Sequence, residues 1–176
     1  MICPPDVFDA AGALFYRNAA NGAFMFTSRY RLSDSESLFQ TASMYPDVFK
    51  PRPAESHKGT YGTLAVIGGA EGMSGAVVLA ATAAAYAGCG KVWAGFNQRQ
   101  LPFAVIDGRP EIMLATAQNL LLRNDADARA VGCGLGLGEA ASGIVAAVLS
   151  EADGKPLLLD ADALTLLSRS SELQRL

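Results

Sequence analysis

The chain has 176 residues, with 14 Lys+Arg against 17 Asp+Glu for a net charge of −3, 51% hydrophobic and 18% charged residues, and a mean hydropathy of +0.22; these values exclude a disordered polypeptide. A chain of this size buries roughly 70% of the surface its unfolded form exposes, so its core needs neither disulfide nor metal. The slightly negative charge, without a Lys/Arg cluster or interleaved basic and aromatic residues, excludes nucleic acid as a partner.

Residues 1–50 have mixed composition and no sustained period, and read as a leader or linker with a polar turn at 31–37. The start, MICPPDVFDAAG, has prolines and aspartates where a signal peptide needs basic and then apolar residues. Cys3, Cys89 and Cys133 are scattered and His57 is the single histidine, so neither a disulfide framework nor a Cys/His zinc site can be assembled. A cytoplasmic location is expected. The uncharged stretch 72–90 approaches the length of a membrane span but consists mostly of Ala, Gly and Thr, so a buried helix is expected and a membrane is not.

From residue 51 onward, short apolar runs alternate with glycine turns and helical stretches, the signature of βα units. The run 63–67 is continuously apolar, as in a parallel strand covered on both faces, and ends at Gly68. Ser74 is suited to cap the next helix, which Val77, Val78, Ala81, Ala84 and Ala85 give a narrow apolar face, and which Gly88 and Gly90 stop. Strands are then predicted at 91–95, 112–115, 129–132 and 156–160, with helices at 117–123, 142–150 and from 163 to 167. The recurrence of strand, glycine turn and helix predicts an α/β fold with an open, mostly parallel sheet and right-handed crossovers.

Three segments can carry chemistry at the carboxyl edge of such a sheet. Gly68-Gly-Ala-Glu-Gly72-Met-Ser-Gly75 joins a strand to a helix, where small residues let a phosphate or pyrophosphate approach backbone N–H groups and the positive helix end; a plain tight turn is the alternative. Without Gly-Lys-Ser/Thr it is no NTPase phosphate loop, and without an acid about 20 residues on it is no standard NAD dehydrogenase. Gly132-Cys-Gly134-Leu-Gly136-Leu-Gly138 repeats the device, with Gly134 and Gly136 the stronger candidates for lining a shared cleft. Asp160 and Asp162 follow the fifth strand, where either can hold a metal-bound phosphate or a substrate hydroxyl, and one is expected to cap the next helix. His57-Lys58 and Glu111 read as surface groups, and Trp93, Phe96 and Phe103 as core.

Taken in order, Ser56-His-Lys-Gly-Thr-Tyr-Gly62, Val66-Ile-Gly-Gly-Ala70, Gly72-Met-Ser-Gly-Ala76, Ala87-Gly-Cys-Gly-Lys-Val92, Pro110-Glu-Ile-Met113, Gly132-Cys-Gly-Leu-Gly136 and Leu159-Asp-Ala-Asp-Ala-Leu164 resemble the ADP/ATP-dependent NAD(P)H-hydrate dehydratases of the ribokinase-like superfamily. The resemblance spans about residues 50 to 168. It implies a three-layer α/β/α fold and nucleotide repair in which ADP or ATP, with Mg2+, phosphorylates the hydroxyl of NAD(P)H-hydrate before phosphate leaves. It further implies that Ala76, Gly68, Gly69, Gly75, Gly132, Gly134 and Gly136 lie against the hydrated dinucleotide, and Asp160 and Asp162 near the phosphates. By the same resemblance, residues 51–176 form the amino-terminal part of a dehydratase domain incomplete at its carboxyl end, 1–50 a possible remnant of an epimerase domain, and the catalytic base lies beyond Leu176. Apolar surface left uncovered by the missing units leads to the expectation of a homo-oligomer. Two further readings are a kinase of the same superfamily acting on a hydroxymethylpyrimidine or a sugar, and a non-catalytic dinucleotide-binding module.

Overall fold

The computed structural model describes residues 14–17, 24–27, 43–45, 51–151 and 154–176. They fall in two compact units, Met1–Pro51 and Arg52–Leu176. In the first unit, β1 (Leu14–Arg17) pairs antiparallel with β2 (Phe24–Thr27), Leu14 standing opposite Thr27 and Arg17 opposite Phe24. The sequence reading missed this hairpin, because four-residue strands are too short to establish a period. The polar turn expected at 31–37 lies outside the described residues.

The second unit holds a sheet of five strands, β3 (Thr63–Gly68), β4 (Lys91–Phe96), β5 (Met113–Thr116), β6 (Ala128–Val131) and β7 (Leu157–Leu159), in the order β5-β4-β3-β6-β7. Every neighbouring pair is parallel. Four helices connect or follow the strands: α1 (Ser74–Tyr86), α2 (Ala117–Leu121), α3 (Glu139–Ser150) and α4 (Ala161–Arg169). The predicted strands all form, none displaced by more than one residue at an end. Helix α3 starts before the predicted 142, with Gly138 extended and Glu139 placed in the first turn, where the positive helix end favours a carboxylate.

From β3 the chain winds outward to β4 and β5; from β6 it winds the opposite way to β7. Right-handed crossovers in opposite directions deliver their connections to opposite faces of the sheet. The core accordingly splits in two. On one face Val66, Val92, Ala94 and Phe96 meet Val77 and Ala81 of α1, with Ile106 and Ile112 from the β4–β5 connection. On the other, Ala65, Ile67 and Val131 meet Leu120 of α2, Ile144, Val145 and Val148 of α3, and Leu166 of α4. Alternate residues of β3 therefore serve alternate cores, which is why its sequence is apolar throughout. Gly95 lets α2 settle onto β4, since a Cβ there would stand 2.6 Å from the Leu120 Cδ2.

Helix α1 differs from the expectation of a buried helix. Val77 and Ala81 are fully buried, but Leu79 and Tyr86 on the far side are 74% and 73% exposed. At the sheet edge, Leu158 of β7 is likewise exposed. Among the described residues no helix is long and apolar enough to cross a membrane.

Phe96 is buried and meets Phe103 edge-to-face with ring centroids 5.4 Å apart, as a core pair should. Trp93 is only half-buried, with the Arg123 guanidinium 4.3 Å above its ring and its buried Nε1–H without a partner. Arg123 in turn forks onto Asp125 at 3.0 and 2.9 Å. His57 is exposed and caps the short 3-10 helix Lys58–Tyr61, its Nδ1 accepting from the Gly59 N–H. Glu111 is exposed and pairs with Arg109 at 3.5 Å, a surface contact.

Phe96→Ala removes a ring that anchors one core layer and should lower unfolding stability by about 3–5 kcal/mol. Denaturant unfolding followed by circular dichroism measures it, and a loss below about 1 kcal/mol would contradict the assignment of Phe96 to the core.

Candidate functional site

The direction of winding reverses between β3 and β6, so the crevice expected of an open α/β sheet opens at their carboxyl ends. Both glycine turns stand there, and they are joined by backbone hydrogen bonds. Gly132 N–H donates to the Ile67 carbonyl at 2.9 Å, Gly69 N–H to Cys133 at 3.0 Å and Ala70 N–H to Gly134 at 2.6 Å. The missing side chains are what permit this approach. A Cβ on Gly68 would stand 2.1 Å from the Cys133 carbonyl oxygen, one on Gly132 1.9 Å from the Asp160 carbonyl oxygen, and one on Gly134 2.9 Å from the Met73 Cβ.

At Gly68, Gly132 and Gly134 the place of a Cβ is filled by the protein's own chain, so these glycines let the two turns meet. Gly69 is also enclosed, its Cβ position lying 3.0 Å from both Phe96 and Val77. Gly136 is less crowded, with Ala70 at 3.3 Å, and only Gly75 of the predicted set faces open space. Ala76 stands at the start of α1, 3.1 Å from the Cβ position of Gly134, so it shares the junction of the two turns.

The predicted caps also resolve differently. Ser74 is the first residue of α1 rather than its cap, and its Oγ accepts from the Gln98 Nε2–H at 2.8 Å. Asp160 precedes α4 but its side chain makes no capping bond. Asp162 turns away from its own helix and accepts from the Gly136 N–H at 2.8 Å, holding the second glycine turn. The two acids thus separate: Asp162 is engaged within the protein, whereas the Asp160 carboxylate is exposed and makes no hydrogen bond with the described residues.

Sequence reasoning missed two residues of this rim. Asn97 donates from Nδ2 to the Leu135 carbonyl, and Gln98 donates from Nε2 to both the Gly69 carbonyl and Ser74 Oγ, each at 2.8 Å. Directly after β4, these two amides bind its exit loop to both glycine turns. The available signal was the pair of primary amides at a strand end, where a β-rich run gives way to polar residues. They border a cleft of about 690 Å³ that Glu71, Arg99, Gln118 and Ala140 also line. Arg99 is exposed and has no ion pair or hydrogen bond with the described residues.

Helices α1, α3 and α4 all begin at this edge, and none has a side-chain cap. Their positive ends and Arg99 favour an anionic guest; the cleft volume lies in the usual range for a small-molecule site. Among the described residues no group of three or more His, Cys, Asp or Glu could hold a metal by itself. The Cys133 thiol stands within this rim, and burial, reinforced by the Asp160 charge, pushes its pKa up.

The family model described as NAD(P)H-hydrate dehydratase matches residues 64–176. The chain is 62% identical over 139 residues to the ADP-dependent (S)-NAD(P)H-hydrate dehydratase of Neisseria meningitidis serogroup B, a match covering 79% of this chain and 47% of the relative. It resembles a ribokinase-like superfamily protein from Enterococcus faecalis with a TM-score of 0.62 at 29% identity, over 68% of this chain and 44% of that one. It also resembles the ADP/ATP-dependent NAD(P)H-hydrate dehydratase of Bacillus subtilis co-crystallized with ATP/Mg2+, with a TM-score of 0.56 at 36% identity, over 65% of this chain and 42% of that one. The chain spans about half the length of the curated relatives it matches. The fold is ribokinase-like α/β.

Two outcomes follow from the rim. Gly134→Ala forces a Cβ into the turn junction at a left-handed φ of 61° and should cost about 1–3 kcal/mol, while Gly143→Ala, exposed in mid-helix with open space around it, should stabilise by about 0.5–1 kcal/mol. Parallel denaturant titrations give both signs. A raised pKa leaves less thiolate at neutral pH, so Cys133 should alkylate slowly with iodoacetamide and accelerate only in more alkaline buffer than an ordinary thiol; Asp160→Asn should speed it at a given pH. Peptide mass spectrometry of timed samples reads both effects.

Proposed function

The chain belongs to the NAD(P)H-hydrate dehydratase family, and from that premise we propose that it serves nicotinamide nucleotide repair, the ADP- or ATP-dependent dehydration of NAD(P)H-hydrate. The observation that carries the reading is the convergence on one sheet edge of two glycine turns, three uncapped helix ends and the exposed Asp160, an edge that also holds the cleft lined by Glu71, Asn97, Gln98 and Arg99. In this reading the nucleotide donates a phosphoryl group to the ring hydroxyl of the hydrate. Inorganic phosphate then departs with the electron pair of the C–O bond, the adjacent ring carbon loses a proton, and the electrons of that C–H bond restore the ring double bond. Phosphoryl transfer depends on placement and charge stabilisation, which positive helix ends supply.

Ala76, Gly75 and the turn from Gly132 to Gly136 border the dinucleotide in this proposal. Gly68 and Gly69 act from behind, by letting the turns close on each other. Asp162 fixes the second turn, and Asp160 faces the phosphates. Mg2+ keeps several waters and takes one or two carboxylates besides phosphate oxygens, so the exposed carboxylate of Asp160 fits as a protein ligand. When bound with the nucleotide, the ion would neutralise phosphate charge.

The unit Arg52–Leu176 corresponds, on this proposal, to the amino-terminal part of a dehydratase domain, with 1–50 as a leader or the remnant of an epimerase domain. The thiols of Cys89 and Cys133 are free, which suits the reducing cytoplasm. The exposed apolar side chains of α1 and β7 support self-association into a homo-oligomer.

Incubation of hydrated NADH, ADP and Mg2+ with a dehydratase domain that joins this chain to the part carrying the base should raise absorbance in the reduced-nicotinamide band, and Asp160→Asn should slow the rise at least about tenfold. NADPH and ADP should each raise the melting temperature. No absorbance change together with no thermal shift would refute the proposal; thermal shifts without turnover would leave a binding module in place of an enzyme.

A further inference from the structure

Numbered from β3, the five parallel strands of the second unit lie in the order 3-2-1-4-5. In a dinucleotide-binding sheet of this order, the glycine turn after the first strand meets the pyrophosphate and the segment after the second strand meets the adenosine ribose. An acid in that segment takes the 2′-hydroxyl, whereas an arginine accommodates a 2′-phosphate. The second strand here is β4, which ends at Phe96. Asp107 is the first acid beyond it, but Arg99 comes well before.

The cleft of about 690 Å³ draws on the exit of each strand from β3 to β6, with Glu71 after β3, Arg99 after β4, Gln118 in α2 after β5 and Ala140 in α3 after β6. Among the described residues that line it, Arg99 is the single cation, exposed and without an ion pair or hydrogen bond. Gln100 and Gln118 are exposed carboxamides of the same lining, equally unengaged. This set suits a phosphate monoester, which carries roughly 1.5 to 2 negative charges at neutral pH. A planar guanidinium meets two of its oxygens with parallel N–H donors, and neutral amides add donors without adding charge. Glu71 shares the cleft but does not pair with Arg99. One charge of each sign is thus kept separate, the carboxylate able to accept from a ribose hydroxyl while the guanidinium takes the phosphate.

We propose that Arg99, with the carboxamides of Gln100 and Gln118, recognises the 2′-phosphate on the adenosine ribose and makes this site prefer the phosphorylated over the unphosphorylated nicotinamide dinucleotide. The inference rests on the nucleotide-repair reading above and adds a specificity residue to it, on the β4 side of the rim. Without the monoester, Arg99 simply stays in water, so the preference comes from the charge-assisted hydrogen bonds that the extra phosphate brings.

Calorimetric titration of the full chain with NADPH and with NADH, at one salt concentration, tests it. The parent should bind NADPH at least about tenfold tighter. Arg99→Ala should bring the two affinities together, and Arg99→Lys, a point charge without the fork, should keep part of the difference. Adenosine 2′-monophosphate should displace NADPH from the parent at concentrations where adenosine does not. Arg99 has no partner within the chain to lose, so circular dichroism melts of both variants should match the parent. A parent that binds NADH as tightly as NADPH, or a preference that survives Arg99→Ala, overturns the Arg99 assignment and leaves the repair reading in place. Binding of neither dinucleotide overturns both.

Discussion

The second unit depends on the contact between two stretches of backbone that lack side chains. Where β3 and β6 end, the turns that follow exchange hydrogen bonds over a few residues, Ile67 with Gly132, Gly69 with Cys133, and Ala70 with Gly134. No Cβ fits at Gly68 or Gly132, because a main-chain carbonyl oxygen already occupies the place. Closure at this point continues the central strand pair past the sheet, and it brings the starts of α1 and α3 to the same rim. Small residues are needed here first for the chain to meet itself, and only through that for any guest.

Around this closure the remaining polar groups act as fasteners. Asn97 and Gln98 secure the loop after β4 to both turns, and Asp162 secures the second turn from the far side. Each fastener joins segments distant in sequence. What remains unengaged at its surface, Asp160, Arg99 and the amino ends of the helices, is then free to meet a ligand. A site organised in this way separates the residues that hold shape from those that face outward, and the two aspartates of one short motif fall on opposite sides of that division.

The fold was largely legible in the sequence because its signals are local and repeated: continuous apolar runs for doubly covered strands, and glycine turns at the exits of β3 and β6. The carboxyl-edge placement of Gly68, Gly134, Asp160 and Asp162 followed from the parallel sheet alone. Their individual roles did not. Whether a glycine faces a ligand or a neighbouring carbonyl is decided by a segment more than sixty residues away, as at Gly68 and Cys133, and no local pattern encodes that. The capping expected of Ser74 failed for the same reason, since Gln98 from a different loop claims its hydroxyl. The hairpin β1–β2 was invisible because its strands are too brief for periodicity. The exposed side of α1 escaped notice because composition reports how apolar a helix is, but not what stands beyond it.

Trp93 is the chain's one tryptophan. Its ring lies under a guanidinium and its indole nitrogen is shut away from water without an acceptor. It belongs to β4, the strand that runs directly into Asn97 and Gln98. All indole fluorescence of the molecule therefore originates from a single position four residues before the first of the amides that bind the rim. Loosening of that strand would admit water to the indole and draw its emission toward the red, so the native chromophore is itself an optical gauge of whether the rim is assembled.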